Sequence, residues 1–195
     1  AATTRAGAAK PPTRTDAKAA PDSGANYEPS YKAAAIAALL VFILYYITIS
    51  PSAWMWDTGE YMAAAKVLGL PHPPGNPFFM LIAHVFGDLP LPGSYAQRIN
   101  TMAALASAAS AGFWFLVTER ILSGWIPKSW QRLTGAAIGT LIGATAFTVW
   151  NQSVVNEKVY TMTLLFFTAV SWLMISWTDD PAGPKANKRL LMVAY

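Results

Sequence analysis

Ala33-Ala-Ala-Ile-Ala-Ala-Leu-Leu-Val-Phe-Ile-Leu-Tyr-Tyr-Ile-Thr-Ile-Ser50 is an unbroken apolar run, and Trp54-Met-Trp-Asp57-Thr58-Gly59-Glu60-Tyr61 follows it after a short gap. At a rise of about 1.5 Å per residue, a run of ~18 residues covers most of a ~30 Å hydrocarbon core. The first stretch therefore reads as a membrane span and the second as a loop just beyond it. Leu70-Pro71-His72-Pro73-Pro74-Gly75-Asn76-Pro77 comes next. Two carboxylates and a histidine in a rigid proline frame thus sit at a membrane boundary, where ionisable groups are costly and tend to mark function.

The same residues have plainer uses. Asp57 and Glu60 fit a capping box, with Asp57 accepting from the Glu60 amide and Glu60 reaching back to the Asp57 amide. The helix so started would run to about Leu68, with Gly69 as its left-handed terminator and Pro71 as the stop. His72 between prolines could simply satisfy a turn. Capping and chemistry are compatible, since only one oxygen of each carboxylate is needed for a cap.

Composition agrees with a membrane protein. The 195 residues are 54% hydrophobic and only 12% charged, against roughly 25% charged in average soluble domains, and mean hydropathy is +0.32. The net charge of +4 comes from the flanks of apolar runs rather than from one basic face, so no nucleic-acid partner is expected. With no cysteine there is neither a disulfide framework nor a thiolate metal site. Eight Trp and eight Tyr suit interfacial belts.

Residues 1–31 are rich in Ala, Pro, Lys and Thr without apolar periodicity, and read as a disordered or loosely docked tail. Residues 32–195 read as one transmembrane module. Pro77 to about Leu89 is apolar but short, which suits an interfacial or re-entrant helix. Ile99–Val117, Leu133–Trp150 and Val159–Trp177 are three further spans. The second span is rich in Ala and Ser, and the third carries Gly135, Gly139 and Gly143, both patterns of close helix contact in lipid. The fold expected is all-α, with four spans and two short interfacial helices in the first outer loop. Because the chain starts with Ala and its last residues look like the start of another span, it also reads as incomplete.

Four crossings put 11 of the 14 Lys and Arg on one side, leaving only Lys66, Arg98 and Lys158 on the other. The positive-inside rule then places the tail in the cytoplasm and the motif loop outside; the expected setting is a bacterial inner membrane with that loop in the periplasm. Asp57, Glu60, His72, Asp88 and Glu157 all face the outer side. Glu157 stands at the mouth of the last span, where dipole stabilisation or an ion pair with Lys158 is the plain reading. An outer cluster of this kind can deprotonate a hydroxyl, hold Mg²⁺ or Mn²⁺ through Asp57 and Glu60, and stabilise a leaving phosphate through Lys66, Arg98, His72 or Lys158.

Taken in order, Asp57-Thr-Gly-Glu60, Leu68-Gly69, His72-Pro-Pro-Gly-Asn-Pro77, Arg98-Ile-Asn100, Trp150 and Glu157-Lys-Val-Tyr160 resemble the N-terminal part of protein O-mannosyltransferase-like membrane proteins, in the GT-C glycosyltransferase class. The resemblance implies an integral membrane enzyme that moves a sugar from a polyprenyl-phosphate donor to a hydroxyl acceptor on the outer face. It maps the essential acid onto Asp57, with Glu60 and Glu157 as further catalytic candidates. His72, Lys66, Arg98, Asn100 and Tyr160 become substrate-binding candidates. The chain departs from the pattern in stopping near a fifth span, where complete members have at least seven. It also carries Lys158 inside a motif that otherwise reads Glu-Val-Tyr.

A different class of function is a non-catalytic structural subunit of a larger membrane complex, for instance an energy-converting one. Small-residue faces in search of other membrane subunits support it; the acids together with His72 support the enzyme. Transport is weaker, since no span carries an ionisable residue at its middle.

Overall fold

The computed structural model describes residues 27–156 and 159–194, and among them the fold is all-helical. The elements are α1 (Tyr31–Ile47), α2 (Thr58–Val67), α3 (Pro77–Asp88), α4 (Tyr95–Ser123), α5 (Ser129–Thr145), α6 (Phe147–Val154), α7 (Tyr160–Asp179) and α8 (Ala186–Ala194).

The 29-residue α4 is the spine, packed against α1, α3, α5, α6 and α7. Its small residues explain this. Ala103, Ala104, Ala106, Ser107, Ala108, Ser110 and Ala111 are all buried, so neighbouring backbones come close on every side. At Gly112 an added Cβ would lie 3.2 Å from the Ala38 Cβ and 3.4 Å from the Ala34 carbonyl oxygen, which marks the α1–α4 crossing. The face that was expected to need outside partners is therefore covered from within. On α5, Gly135 lies against Leu122 and Gly139 against Thr118, whereas Gly143 faces open space; the glycine row is a contact face over part of its length.

Two helices, α4 and α7, are long and apolar enough to cross a membrane. A third crossing arises if α5 and α6, bent by 67° at Ala146, count as one span. The continuous span expected over 133–150 is thus broken. Ala146 is extended (φ −58°, ψ 132°), and Trp150 turns in to meet Tyr45 edge-on at 6.3 Å. At 17 residues, the apolar α1 lies at the short end of the range for a spanning helix. Even so, α1 and α5 run one way and α4 and α7 the other. Tyr45 Oη, late in α1, donates to the Ala144 carbonyl late in α5 (2.8 Å), and Arg120 late in α4 binds Asp179 at the end of α7 (2.6 Å). The later half of α4, at Gly112, meets the start of α1 at Ala34.

Each end of the bundle has its own buried polar staple. At one end Glu119, 1% exposed, accepts from Tyr27 Oη (3.1 Å), Ser30 N (3.1 Å) and Ser30 Oγ (2.6 Å). Residues 27–30, the end of the segment expected to be a disordered or loosely docked tail, are held by Glu119; residues 1–26 lie outside the described residues. At the other end Asn100, fully buried, donates to the carbonyls of Ser50 (3.0 Å) and Ser52 (3.3 Å) and accepts from the Asn156 amide (2.9 Å). This second staple gathers the loop after α1 and the loop after α6 at one end, beneath α2 and α3.

Candidate functional site

The turn into α2 is built from its own sequence. Thr58, 1% exposed, accepts from the Trp54 amide (2.9 Å) and returns its hydroxyl to the Trp54 and Met55 carbonyls. Trp56 takes a left-handed backbone (φ 64°) while its ring stays exposed. Such strain in a bulky residue persists only where the surroundings impose it, commonly beside functional groups.

Asp57 is the N-cap of α2, but its side chain makes no capping hydrogen bond. Glu60 does not reach back to it. Its Oε1 accepts from the His72 backbone amide (2.6 Å), and its Oε2 lies 2.9 Å from His72 Nδ1. The capping box is therefore not formed, because the carboxylate is spent on the proline loop. Helix α2 also ends one residue earlier than expected. Leu68, not Gly69, is left-handed (φ 53°), since the Gly69 amide closes back onto the Ala64 carbonyl at 2.8 Å.

On its other side His72 Nε2 stands 3.8 Å from Asp57 Oδ2. Asp57, Glu60 and His72 each offer a ligand atom within 4.8 Å of the other two. Nδ1 thus faces Glu60 and Nε2 faces Asp57, and a proton carried on Nδ1 would leave Nε2 able to act as a base or a ligand. His72 holds the Glu60 carboxyl below its ordinary value, first through the side-chain bond and then through the backbone bond; the Asp57 charge pushes the other way. Beneath the triad the buried Tyr61 packs edge-on against His72 (5.9 Å) and Phe79 (5.8 Å), and accepts from Asn76 Nδ2 at 2.7 Å.

The remaining candidates sit elsewhere. Lys66 pairs with Asp88 at the end of α3 and holds that carboxyl below its usual range. Arg98 donates to the Leu89 carbonyl at 2.7 Å, closing the α3–α4 turn. Asn100 is the core staple, and Tyr160 starts α7 half-exposed. Glu157 and Lys158 lie outside the described residues. Sequence reasoning missed Thr58, Tyr61 and Asn76, the frame of the triad; the only signal for Asn76 was its place after Gly75 and before Pro77.

The family described as "Protein O-mannosyl-transferase TMEM260 N-terminal domain" matches residues 57–195, from the first acid of the triad onward. The chain belongs to this family. Protein O-mannosyl-transferase TMEM260 of Mus musculus is 29% identical over 143 residues, which are 71% of this chain and 18% of the mouse protein. The Dictyostelium discoideum protein of the same description is 26% identical over 139 residues, 70% of this chain and 16% of that one. The chain thus spans under a fifth of the length of these relatives. No solved structure matches it. The family and the helices together make this an integral membrane protein of the O-mannosyltransferase-like kind, all-helical as the sequence implies.

Proposed function

We propose that the Asp57–Glu60–His72 triad is the place where a sugar, mannose by family, passes from a polyprenyl phosphate to a hydroxyl acceptor, in a GT-C type of enzyme. The observation that carries this reading is the convergence of the three side chains at one end of the bundle, inside the matched family domain. Asp57 takes the acceptor hydroxyl proton as general base. The acceptor oxygen then bonds the anomeric carbon as the bond from that carbon to the phosphate oxygen breaks, and the polyprenyl phosphate leaves. Glu60 positions His72 for the developing charge.

Lys66 and Arg98 are engaged away from the triad, so the leaving phosphate needs another cationic partner. Protonated His72 or a divalent cation fills that need. Asp57, Glu60 and His72 Nε2 would hold such an ion. Two carboxylates with an imidazole suit Mn²⁺ better than Mg²⁺, which prefers all-oxygen shells. A bound ion would supply charge neutralisation at the phosphate.

Exposed Trp54 and Trp56 beside the triad suit the headgroup level, where a lipid-linked donor presents its head. The basic end belongs in the cytoplasm and the triad on the outer face, periplasmic in a bacterial inner membrane. The test is transfer of labelled mannose from polyprenyl-phosphate mannose to a Ser/Thr peptide by the mass-verified full chain. Peptide labelling that disappears in His72→Ala is expected. No transfer, with stable co-purification of unrelated membrane subunits, would instead establish the structural-subunit reading.

A further inference from the structure

At the end of the bundle opposite the triad, α7 and α8 enclose a recess of about 410 Å³. Its floor is apolar: Trp172, Leu173, Met192 and the ring of Tyr31, which meets Trp172 edge-on at 6.1 Å. Its rim is basic: Lys185, Lys188 and Arg189. Spacing explains the arrangement. Positions 185, 188, 189 and 192 follow one face of a helix, and 172, 173 and 176 follow one face of another.

None of the three rim cations forms an ion pair among the described residues. Arg189 is set by donating to the Ser176 carbonyl at 2.7 Å, and the Ser176 hydroxyl, with no hydrogen-bond partner, lines the same recess. Of the two acids at the end of α7 and in the turn before α8, Asp179 is bound to Arg120 at 2.6 Å and the Asp180 carboxylate lies against Gly183, and neither forms an ion pair with the rim. The charge is thus left for a ligand.

We infer that this recess binds the phosphate of an anionic phospholipid, with the start of its acyl chains on the Trp172–Met192 floor. A free phosphate would need the cations alone. The aromatic and aliphatic floor beneath them, at the end of a membrane helix, fits a phosphodiester that carries hydrocarbon. Basic recesses between membrane helices on the anionic-leaflet side select such headgroups, and lysine stems cover apolar surface while their heads reach the phosphate. The site is separate from the triad and does not depend on the transferase reading.

The full chain in detergent micelles doped with phosphatidylglycerol or phosphatidylcholine, with bound lipid counted by native mass spectrometry, tests this. Phosphatidylglycerol is expected to be retained in preference. Lys188→Gln should weaken its retention about fivefold, and Lys185→Gln with Lys188→Gln by on the order of tenfold or more. Lys128→Gln, which removes equal charge from the same end, should change it little, and circular dichroism confirms that each variant is folded. Equal weakening by Lys128→Gln would overturn the site in favour of diffuse surface charge. Equal retention of phosphatidylcholine, or displacement by inorganic phosphate at matched concentration, would also overturn it.

Discussion

Glu60 grips His72 with both carboxylate oxygens, one on the backbone amide at 2.6 Å and one on the ring at 2.9 Å. A helix N-terminus and a proline loop 12 residues away in sequence are thereby locked together. The imidazole is turned so that its other nitrogen faces Asp57. Glu60 fixes the geometry that the proposed function gives Asp57 to work with.

Asp57→Asn should lower transfer by about 10²–10⁴-fold, the scale of a positioned proton transfer. Because the Asp57 side chain makes no capping bond, thermal stability should move little. Parallel transfer and melting assays check this; a large melting shift with normal turnover would make Asp57 structural.

The Glu60 carboxyl is depressed by its two bonds from His72. Its contribution to loop docking is therefore complete above the ordinary carboxylate value of 4.5 and is lost as pH falls through the lower folded value. Protection of the His72 amide, measured as its exchange relative to the intrinsic rate at each pH and followed downward from pH 6, should fall in that acid window. In Glu60→Gln the exchange should be fast at the outset and lack this titration.

Asn100→Ala takes the partner from the Ser50 carbonyl and the Asn156 amide, whereas the exposed Ser52 carbonyl keeps the Ser50 hydroxyl at 2.9 Å. Each buried unsatisfied group costs about 1–3 kcal/mol, so this substitution should rank among the most destabilising in the chain. A melting temperature within error of the parent would show that water replaces the amide.

Glycines of similar appearance should part company. Gly112→Leu must push α1 and α4 apart and should lower stability clearly, since backbone stands in the way. Gly143→Ala meets nothing within 4 Å and should be neutral or stabilising by about 0.5–1 kcal/mol. Melting of the two variants side by side decides it.

With no native cysteine in the chain, single cysteines report topology cleanly. Those at positions 88, 94 and 152 should react with an impermeant reagent from one side, and those at 30 and 128 from the other. Labelling of 94 and 152 from opposite sides would contradict the shared end held by Asn100.

The apolar runs were legible because membrane helices need length and hydropathy and little else. Caps were not, because two signatures compete for the same bonds. Asp57-x-x-Glu60 reads as a capping box and is not used as one, whereas Ser94-x-x-Gln97, which was not anticipated, is: Ser94 Oγ accepts from Gln97 N (3.2 Å) and Gln97 Oε1 from Ser94 N (2.8 Å). That box starts α4 at Tyr95, ahead of the apolar run. Glu60 had a better partner far away in sequence, which local spacing cannot reveal. The same holds for Lys66 and Arg98: their charge suggested a phosphate, but Asp88 and a backbone carbonyl lie closer. The break at Ala146 carries no proline, so periodicity ran through it unmarked.

The two polar staples on α4 have a consequence for depth. Glu119 lies nineteen positions beyond Asn100 on one unbroken helix, about 28 Å at helical rise, close to the thickness of a bilayer's hydrocarbon core. Each staple belongs at a headgroup plane, where its desolvation is mild, and neither can slide inward without carrying a bonded loop with it. The helix is in effect a gauge cut to one membrane thickness. A bilayer of another thickness is met by tilt of the whole bundle or by deformation of the lipid, because one unbroken helix fixes the distance between the two staples.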